Sequence, residues 1–306
     1  MWRFTIDRFI QALFCIVAVS AIVFFVTRLS GSVVDLLLSD DATLTDQARL
    51  TQALGLDKPL IVQYWVFLSH AAIGDFGMSI RAARPAMEVV LERFPATLQL
   101  GGSAVLVCVF IALPVGVYAA VKRGSFLDMI GRGFAVFGQA APVFWVGIMM
   151  IWIFAVNLRL LPAGGRGGIE NLILPAITLG WYTGAGIMRL TRSSMLDVLG
   201  SEYVKFAILK GVPPHLVVWK HAFKNAALPV LTFAVVLFVI LLHGTVLIET
   251  VFGWPGVGRL AIDSIKNRDY PVAQTVVMVF SVMFIMGNFV VDILYGYLNP
   301  KIRYRK

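Results

Sequence analysis

The sequence predicts an all-α membrane protein with six transmembrane helices and a long first outer loop that carries short interfacial helices. Three observations predict it. The 306 residues are 59% hydrophobic and only 14% charged, and the mean hydropathy of +0.84 lies outside the range of soluble domains. Six apolar runs, at about 9–27, 97–121, 133–156, 172–188, 227–248 and 272–298, approach the roughly 20 residues that cross a hydrocarbon core of about 30 Å. Lys and Arg alternate in density between the intervening pieces. With the N-terminus inside, the inner pieces (1–8, 122–132, 189–224, 299–306) hold 15 of them and the longer outer pieces (28–96, 157–171, 249–271) hold 11, which sets both termini in the cytoplasm. The formal charge of +9 belongs to that inner face and needs no nucleic acid to explain it.

The first run follows Arg3 and Arg8, as a signal peptide would, yet it lacks a small-residue cleavage site and ends in "TRLSG"; it reads as a retained helix. Cys15 and Cys108 fall within spans and act as small apolar residues, so no disulfide framework follows. The 28–96 loop contains its own helix signals. "TLTDQARLTQALGL" offers Thr43 or Thr45 as an N-cap, Pro59 opens a stretch with Tyr64 and Trp65 suited to the interface, and Pro85 starts a third helix through Arg93.

The 157–171 loop is Gly-rich and reads as turns; the 249–271 loop joins a Gly-Trp-Pro-Gly turn to a short amphipathic stretch, Leu260 to Ile265. Gly180 and Gly184 form a GxxxG that implies close helix packing. Asp292, late in the last span, is expected to pair with a basic residue or a Tyr near the inner end. His243, near the outer end of the fifth run, calls for water or a partner and is a candidate pathway residue. The chain divides as a helix over 1–30, an outer loop over 31–96, a five-helix core over 97–298 and a tail over 299–306.

The polar insert 189–224 breaks the pattern. Ser193 to Lys210 reads as one helix with Leu196, Leu199, Val204 and Ala207 on a stripe; Gly211 stops it, and Pro213-Pro214 opens another. From His215, apolar Leu216, Trp219 and Phe223 alternate with Lys220, His221, Lys224 and Asn225. A helix presented on such a turn has the shape for a partner's groove; a basic face among anionic headgroups is the plainer reading.

Chemistry is absent elsewhere. There is no GxxxxGK[ST], HExxH, CxxC or GxSxG, and the four histidines are scattered, so neither catalysis, nor nucleotide binding, nor a metal site is expected. A stand-alone secondary transporter would place carboxylates or broken helices near the midplane, whereas Asp292 alone qualifies here.

The run from Tyr203 through Lys210-Gly211 to "HAFKNAALP" resembles the cytoplasmic "EAA" loop of permease subunits in binding-protein-dependent ABC importers, of the dipeptide/oligopeptide/nickel branch. "LGLDKPLIVQYW", "GDFGMSI", "PATLQL", "RLTRSSMLDVL", "VLIETVFGWPGVGRL", "NRDYPV" and "VDILYGYLNPKIRY" extend the resemblance over essentially the whole chain, in order.

The resemblance implies the type I importer permease (MetI-like) fold. It also implies that the insert is a coupling helix docking on a cytoplasmic ATPase through Glu202, Lys205, Phe206, Ala207, Lys210, Gly211, Val212 and Pro213. Lys205, Phe206 and Ala207 stand at the Glu-Ala-Ala positions, and Phe206 departs from the small residue usual there. His243-Gly244 replaces a common Gly-Gly pair. Gln139 and Trp181 are further pathway candidates; Trp254, Pro255, Arg268 and Asp269 are candidates for contact with an external binding protein.

The implied partners are a homologous second permease forming a heterodimer, two ATPase subunits that hold ATP and Mg, the binding protein, and membrane lipid. The implied place is a bacterial or archaeal cytoplasmic membrane. The implied cargo is di- or oligopeptides, with nickel chelates, glutathione or oligosaccharides as alternatives.

Overall fold

The computed structural model describes residues 2–29, 43–53 and 55–298. Among them the single β feature is an isolated bridge between Met78 and Pro85, so the all-α class holds. The helices are α1 (Trp2–Leu29), α2 (Leu44–Ala53), α3 (Leu60–Ala72), α4 (Ala86–Val121), α5 (Phe126–Ala140), α6 (Val143–Asn157), α7 (Ile169–Leu199), α8 (Glu202–Leu209), α9 (214–251), α10 (Val257–Lys266) and α11 (Tyr270–Leu298). Wider π-helical turns interrupt α4 at Cys108–Ala112, α6 at Ile151–Asn157 and α9 at Val217–Phe223.

Among the described residues α1, α4 and α11 are long and apolar enough to cross a membrane, and α5 with α6 adds a fourth when read as one span. The fourth and fifth runs lie inside α7 and α9 as continuous helix. The third run, expected as one span over 133–156, is bent by 111° between α5 and α6. Pro142 is the cause. Steric conflict with its ring drives Ala141 out of the helical region, to φ −77° and ψ 134°, and Pro142 then opens α6. The helix expected to end at Arg93 instead runs on, because 91–97 holds no stop and Pro95 is accommodated inside α4.

Two compact units divide the chain, Met1–Ala96 with Gly256–Lys306, and Thr97–Pro255. In the first, α1 lies along α11. Asp292 finds the basic partner anticipated for it, Arg8 at 3.3 Å, and Phe9 meets Phe289 edge-on at 6.2 Å. Buried Phe24 stands among Phe25, Tyr64 and Phe67, while Tyr64 of α3 shares a 2.9 Å hydrogen bond with Ser20. Thr43 precedes α2 and accepts from Gln47 N at 3.1 Å. Ala86, Val89 and Val90 pack against Val257, Val272, Val276 and Phe280 as the core of this unit.

In the second unit α7 is surrounded by the later part of α4, by α5 and by α9. Small residues allow backbone approach: a Cβ on Gly180 would lie 2.8 Å from the Ala104 carbonyl oxygen, and one on Gly116 the same distance from that of Met188. Gly184 faces Ala112. The Gly-rich 157–171 segment is a turn-bearing loop, fastened where Gly165 N donates to Phe252 O at 2.8 Å and Asn171 Nδ2 to Gly164 O at 2.8 Å.

Candidate functional site

The insert is two helices on a stiff base. The single helix expected over 193–210 is broken: α7 ends at Leu199, Gly200 caps it, and Ser201 turns to an extended conformation, φ −74° and ψ 150°, before α8. A Ser followed by Glu202 in the first turn is a helix start signal, since short polar side chains favour the N-cap and acids favour the N-terminal dipole.

Gly211 ends α8 with φ +75°. Val212 N donates back to Ala207 O at 3.2 Å and Gly211 N to Ile208 O at 2.9 Å, the paired bonds of a Schellman turn, which needs a left-handed residue between them. Pro213 accepts from Leu216 N and Val217 N at 2.9 and 3.1 Å and starts α9.

This local geometry sorts the side chains of α8. Val204 and Ala207 are buried, whereas Phe206 is 58% exposed and Leu209 84% exposed, with Ile208 also outward. Lys205 pairs with Glu202 at 2.8 Å. Lys210 Nζ lies 4.6 Å from the centre of the Phe206 ring, so the bulky departure at 206 is covered by a cation. Tyr203 clasps the two helices together: its hydroxyl accepts from Asn225 Nδ2 at 2.7 Å and donates to His221 O at 3.3 Å. Beneath, Val117, Ala120, Met195, Ala222 and Ala226 form one buried cluster. The result is a short helix with an apolar tip, held at both ends.

Asp128 adds a lock that the sequence reading overlooked. It lies before the apolar part of α5, is 1% exposed, and accepts from Arg192 Nε and NH2 at 2.7 and 3.0 Å and from Gly124 N at 3.0 Å; Arg132 lies at 3.4 Å. The Arg192 hydrogen bond, then that of Gly124, holds its carboxyl down to about 2. "SFLD" carried the signal, a Ser-x-x-acid capping pattern realised where Asp128 N donates to Ser125 Oγ at 3.3 Å. Glu249, the first residue of the stretch read as the 249–271 outer loop, belongs to the helix before it. It is 0% exposed inside α9 and accepts from Thr97 Oγ1 at 2.8 Å.

Of the pathway candidates, Trp181 stacks on Phe134 at 4.4 Å and donates to Phe134 O at 3.4 Å. Gln139 is exposed on α5, with its Nε2 3.4 Å from the place of a Cβ on Gly186. Both thus belong to the contact of α5 with α7. The backbone of His243 is in α9, and its side chain lies outside the described residues.

Of the outer candidates, Trp254 is buried, and its backbone N–H donates to Glu249 O at 2.8 Å. Asp269 is also buried and accepts from Ser79 Oγ at 2.5 Å, Ile80 N at 3.2 Å and Arg81 N at 3.4 Å. These two side chains face inward, for packing and for holding the 79–81 turn. Pro255 is half-buried and Arg268 exposed. Among the described residues no cluster of three or more His, Cys, Asp or Glu suits a metal ion.

Residues 112–304 match the model of the binding-protein-dependent transport system inner membrane component family, and residues 1–101 match the N-terminal model of such membrane components. The chain is 40% identical over 306 residues to the glutathione transport system permease protein GsiC of Salmonella choleraesuis (strain SC-B67), covering all of both chains. It is 39% identical over the same length to GsiC of Escherichia coli (strain K12). A solved structure described as an amino acid ABC transporter with histidines is similar in fold, with a TM-score of 0.52, 13% identity, and coverage of 69% of this chain and 94% of that one.

Proposed function

The chain belongs to the binding-protein-dependent transport system inner membrane components, and we propose that it lines half of the pathway of an ATP-driven importer of small peptides, with glutathione the first cargo to test. The glutathione permeases that align over its whole length support that cargo.

The observation that carries the mechanism is α8, an apolar tip on a basic face, fixed by the Gly211 turn and the Tyr203 clasp. A cytoplasmic ATPase receives this helix in a cleft; Phe206, Ile208 and Leu209 make the contact, and Ala207 supports it from within. Two such ATPases hold ATP and Mg, a homologous second permease completes the pathway, and an external binding protein delivers cargo at the other face. This chain performs no catalysis. The excess of Lys and Arg on the inner pieces supports both termini lying in the cytoplasm.

The work is done by differential binding. ATP favours closed ATPases, closed ATPases favour one position of α8, and α7 and α9, joined stiffly to it, shift with it. His243, Gln139 and Trp181 are proposed to line the passage so opened. Pro255 and Arg268 are the residues proposed to meet the binding protein.

The test is uptake into proteoliposomes holding this chain with its second permease, ATPases and binding protein. ATP-dependent entry of labelled glutathione, and of dipeptides more weakly, is expected. Entry through this chain alone would favour a stand-alone transporter, and a complete complex that hydrolyses ATP but moves no peptide would reject the cargo.

A further inference from the structure

A cavity of about 680 Å³ opens in the first unit, between the Arg28 end of α1, residues 55–58, α3, residues 75–83 and the start of α11. Its wall is largely apolar, with Phe24, Phe67 and Phe76 among the side chains that line it. Two cations, Arg28 and Lys58, stand on it, and neither makes an ion pair among the described residues; Arg28 lies over the Phe24 ring at 5.4 Å. The other titratable groups facing it are His70, Asp75 and Tyr270, of which Asp75 accepts from Gly77 N at 3.0 Å.

Gln63 is buried in the same wall. Its Nε2 donates to Leu56 O and Lys58 O at 3.0 and 2.8 Å, which leaves Oε1 buried with no hydrogen-bond partner among the described residues. A buried acceptor without a donor is rare enough to require an explanation.

These features describe one occupant: negative charge for Arg28 and Lys58, a donor for Gln63 Oε1, and an apolar body for the apolar wall. A soluble anion lacks the third. The surroundings supply a source, because Arg28 closes an apolar span, Thr5–Leu29, and α3 turns Leu60, Ile61 and Trp65 outward beside the cavity, as a helix lying in the interface does.

We propose that the cavity holds the headgroup and first acyl carbons of an anionic glycerophospholipid, drawn from the leaflet that meets the Arg28 end of α1. The phosphate faces Arg28 and Lys58, and a headgroup hydroxyl donates to Gln63 Oε1.

Native mass spectrometry of the full chain in detergent, with added lipids, tests this. Phosphatidylglycerol should be retained over phosphatidylethanolamine and phosphatidylcholine. Each of R28Q and K58Q should weaken retention about fivefold, and the pair about thirtyfold, since a basic group near such a headgroup contributes roughly that factor. R28K should retain the lipid. Gln63→Leu should abolish the preference for phosphatidylglycerol over phosphatidylmethanol, which keeps the charge and lacks headgroup hydroxyls; this comparison stands even where the double variant fails to fold.

Equal retention by wild type and both single variants would overturn the proposal. So would inorganic phosphate displacing the lipid and binding alone, which would make this a free-anion site. Lipid held by the isolated chain but absent from the assembled transporter would assign the cavity to a subunit contact instead.

Discussion

Arg192 on α7 grips Asp128 at the start of α5 through two hydrogen bonds, Nε to Oδ1 at 2.7 Å and NH2 to Oδ2 at 3.0 Å. The fork-to-fork geometry makes this the strong form of an ion pair, and it joins the foot of the bent α5–α6 pair to the helix that leads into α8.

Asp128→Asn should lower the unfolding free energy by about 2–3 kcal/mol, because removing one partner leaves a sequestered guanidinium; the value is set below the usual buried-pair loss since Arg192 keeps some solvent contact. The pH dependence has a definite sign. A carboxyl lowered from 3.8 to about 2 on folding contributes stability that is fully present above its unfolded value and is lost as pH falls toward 2. Thermal unfolding in detergent should therefore show a constant gap between wild type and variant from neutral pH down to about 4.5, narrowing below 4. A gap that widened in acid would contradict the assignment.

Gly211 separates conformation from bulk. A Cβ there would meet nothing within 4 Å, yet the backbone is at φ +75°. Gly211→Val should cost about 1–2 kcal/mol from left-handed strain alone, whereas Gly211→Asn, which tolerates that region, should cost much less. If α8 transmits force, the Val variant should also hydrolyse ATP with reduced uptake per ATP. The ratio of transport to hydrolysis across the series Gly, Asn, Val is the measurement, and an unchanged ratio for Val would remove α8 from the coupling.

Much of this was legible because it depends on local chemistry. Gly211, Pro213 and the GxxxG of α7 are residues whose backbone demands leave few options, and each sits where those demands predict. The bend at Ala141-Pro142 was equally local, but a window tuned to apolar length overlooks it, since 133–156 is oily on both sides of the break. Phe206 was visible as an oddity, while its cover by Lys210 follows from helical spacing at i, i+4. What the sequence withheld were pairings distant along the chain. Asp128 with Arg192, Asp269 with Ser79 and Thr97 with Glu249 are separated by 64, 190 and 152 residues, and no periodicity encodes them.

Asp269 is the anchor of the outer turn at 79–81, with one side chain hydroxyl and two backbone N–H groups directed at its carboxylate. Asp269→Ala should release that turn at a cost of about 3 kcal/mol, and Ser79→Ala, which also loses the bond its hydroxyl accepts from Ala82 N, should cost about 1.5–2 kcal/mol while leaving the Ile80 and Arg81 N–H bonds to Asp269 in place. Hydrogen exchange at Ile80 and Arg81 distinguishes the two: it should rise sharply in the first variant and little in the second. Equal rises would mean that the hydroxyl alone organises the turn.

Thr97 and Glu249 offer the sharpest measurement. The threonine hydroxyl donates to a carboxylate group with 0% exposure at 2.8 Å, so Thr97→Val, nearly equal in volume, removes the donor without opening a cavity. The size of the loss reads the state of the acceptor. A hydrogen bond to an ionised carboxylate contributes about 1.5–3 kcal/mol, and one between neutral groups about 0.5–1.5 kcal/mol. Unfolding in detergent of Thr97→Val, alone and combined with Glu249→Gln, closes a double-mutant cycle. If Glu249 carries charge in the folded protein, the single Val variant should fall in the upper range and the Gln background should shrink the effect of Val to the lower one. A Val effect that is small and equal in both backgrounds would show a neutral Glu249. Thr97→Ser keeps the hydroxyl and should recover most of the loss, which fixes the effect on the hydrogen bond and not on the β-branched shape of the side chain.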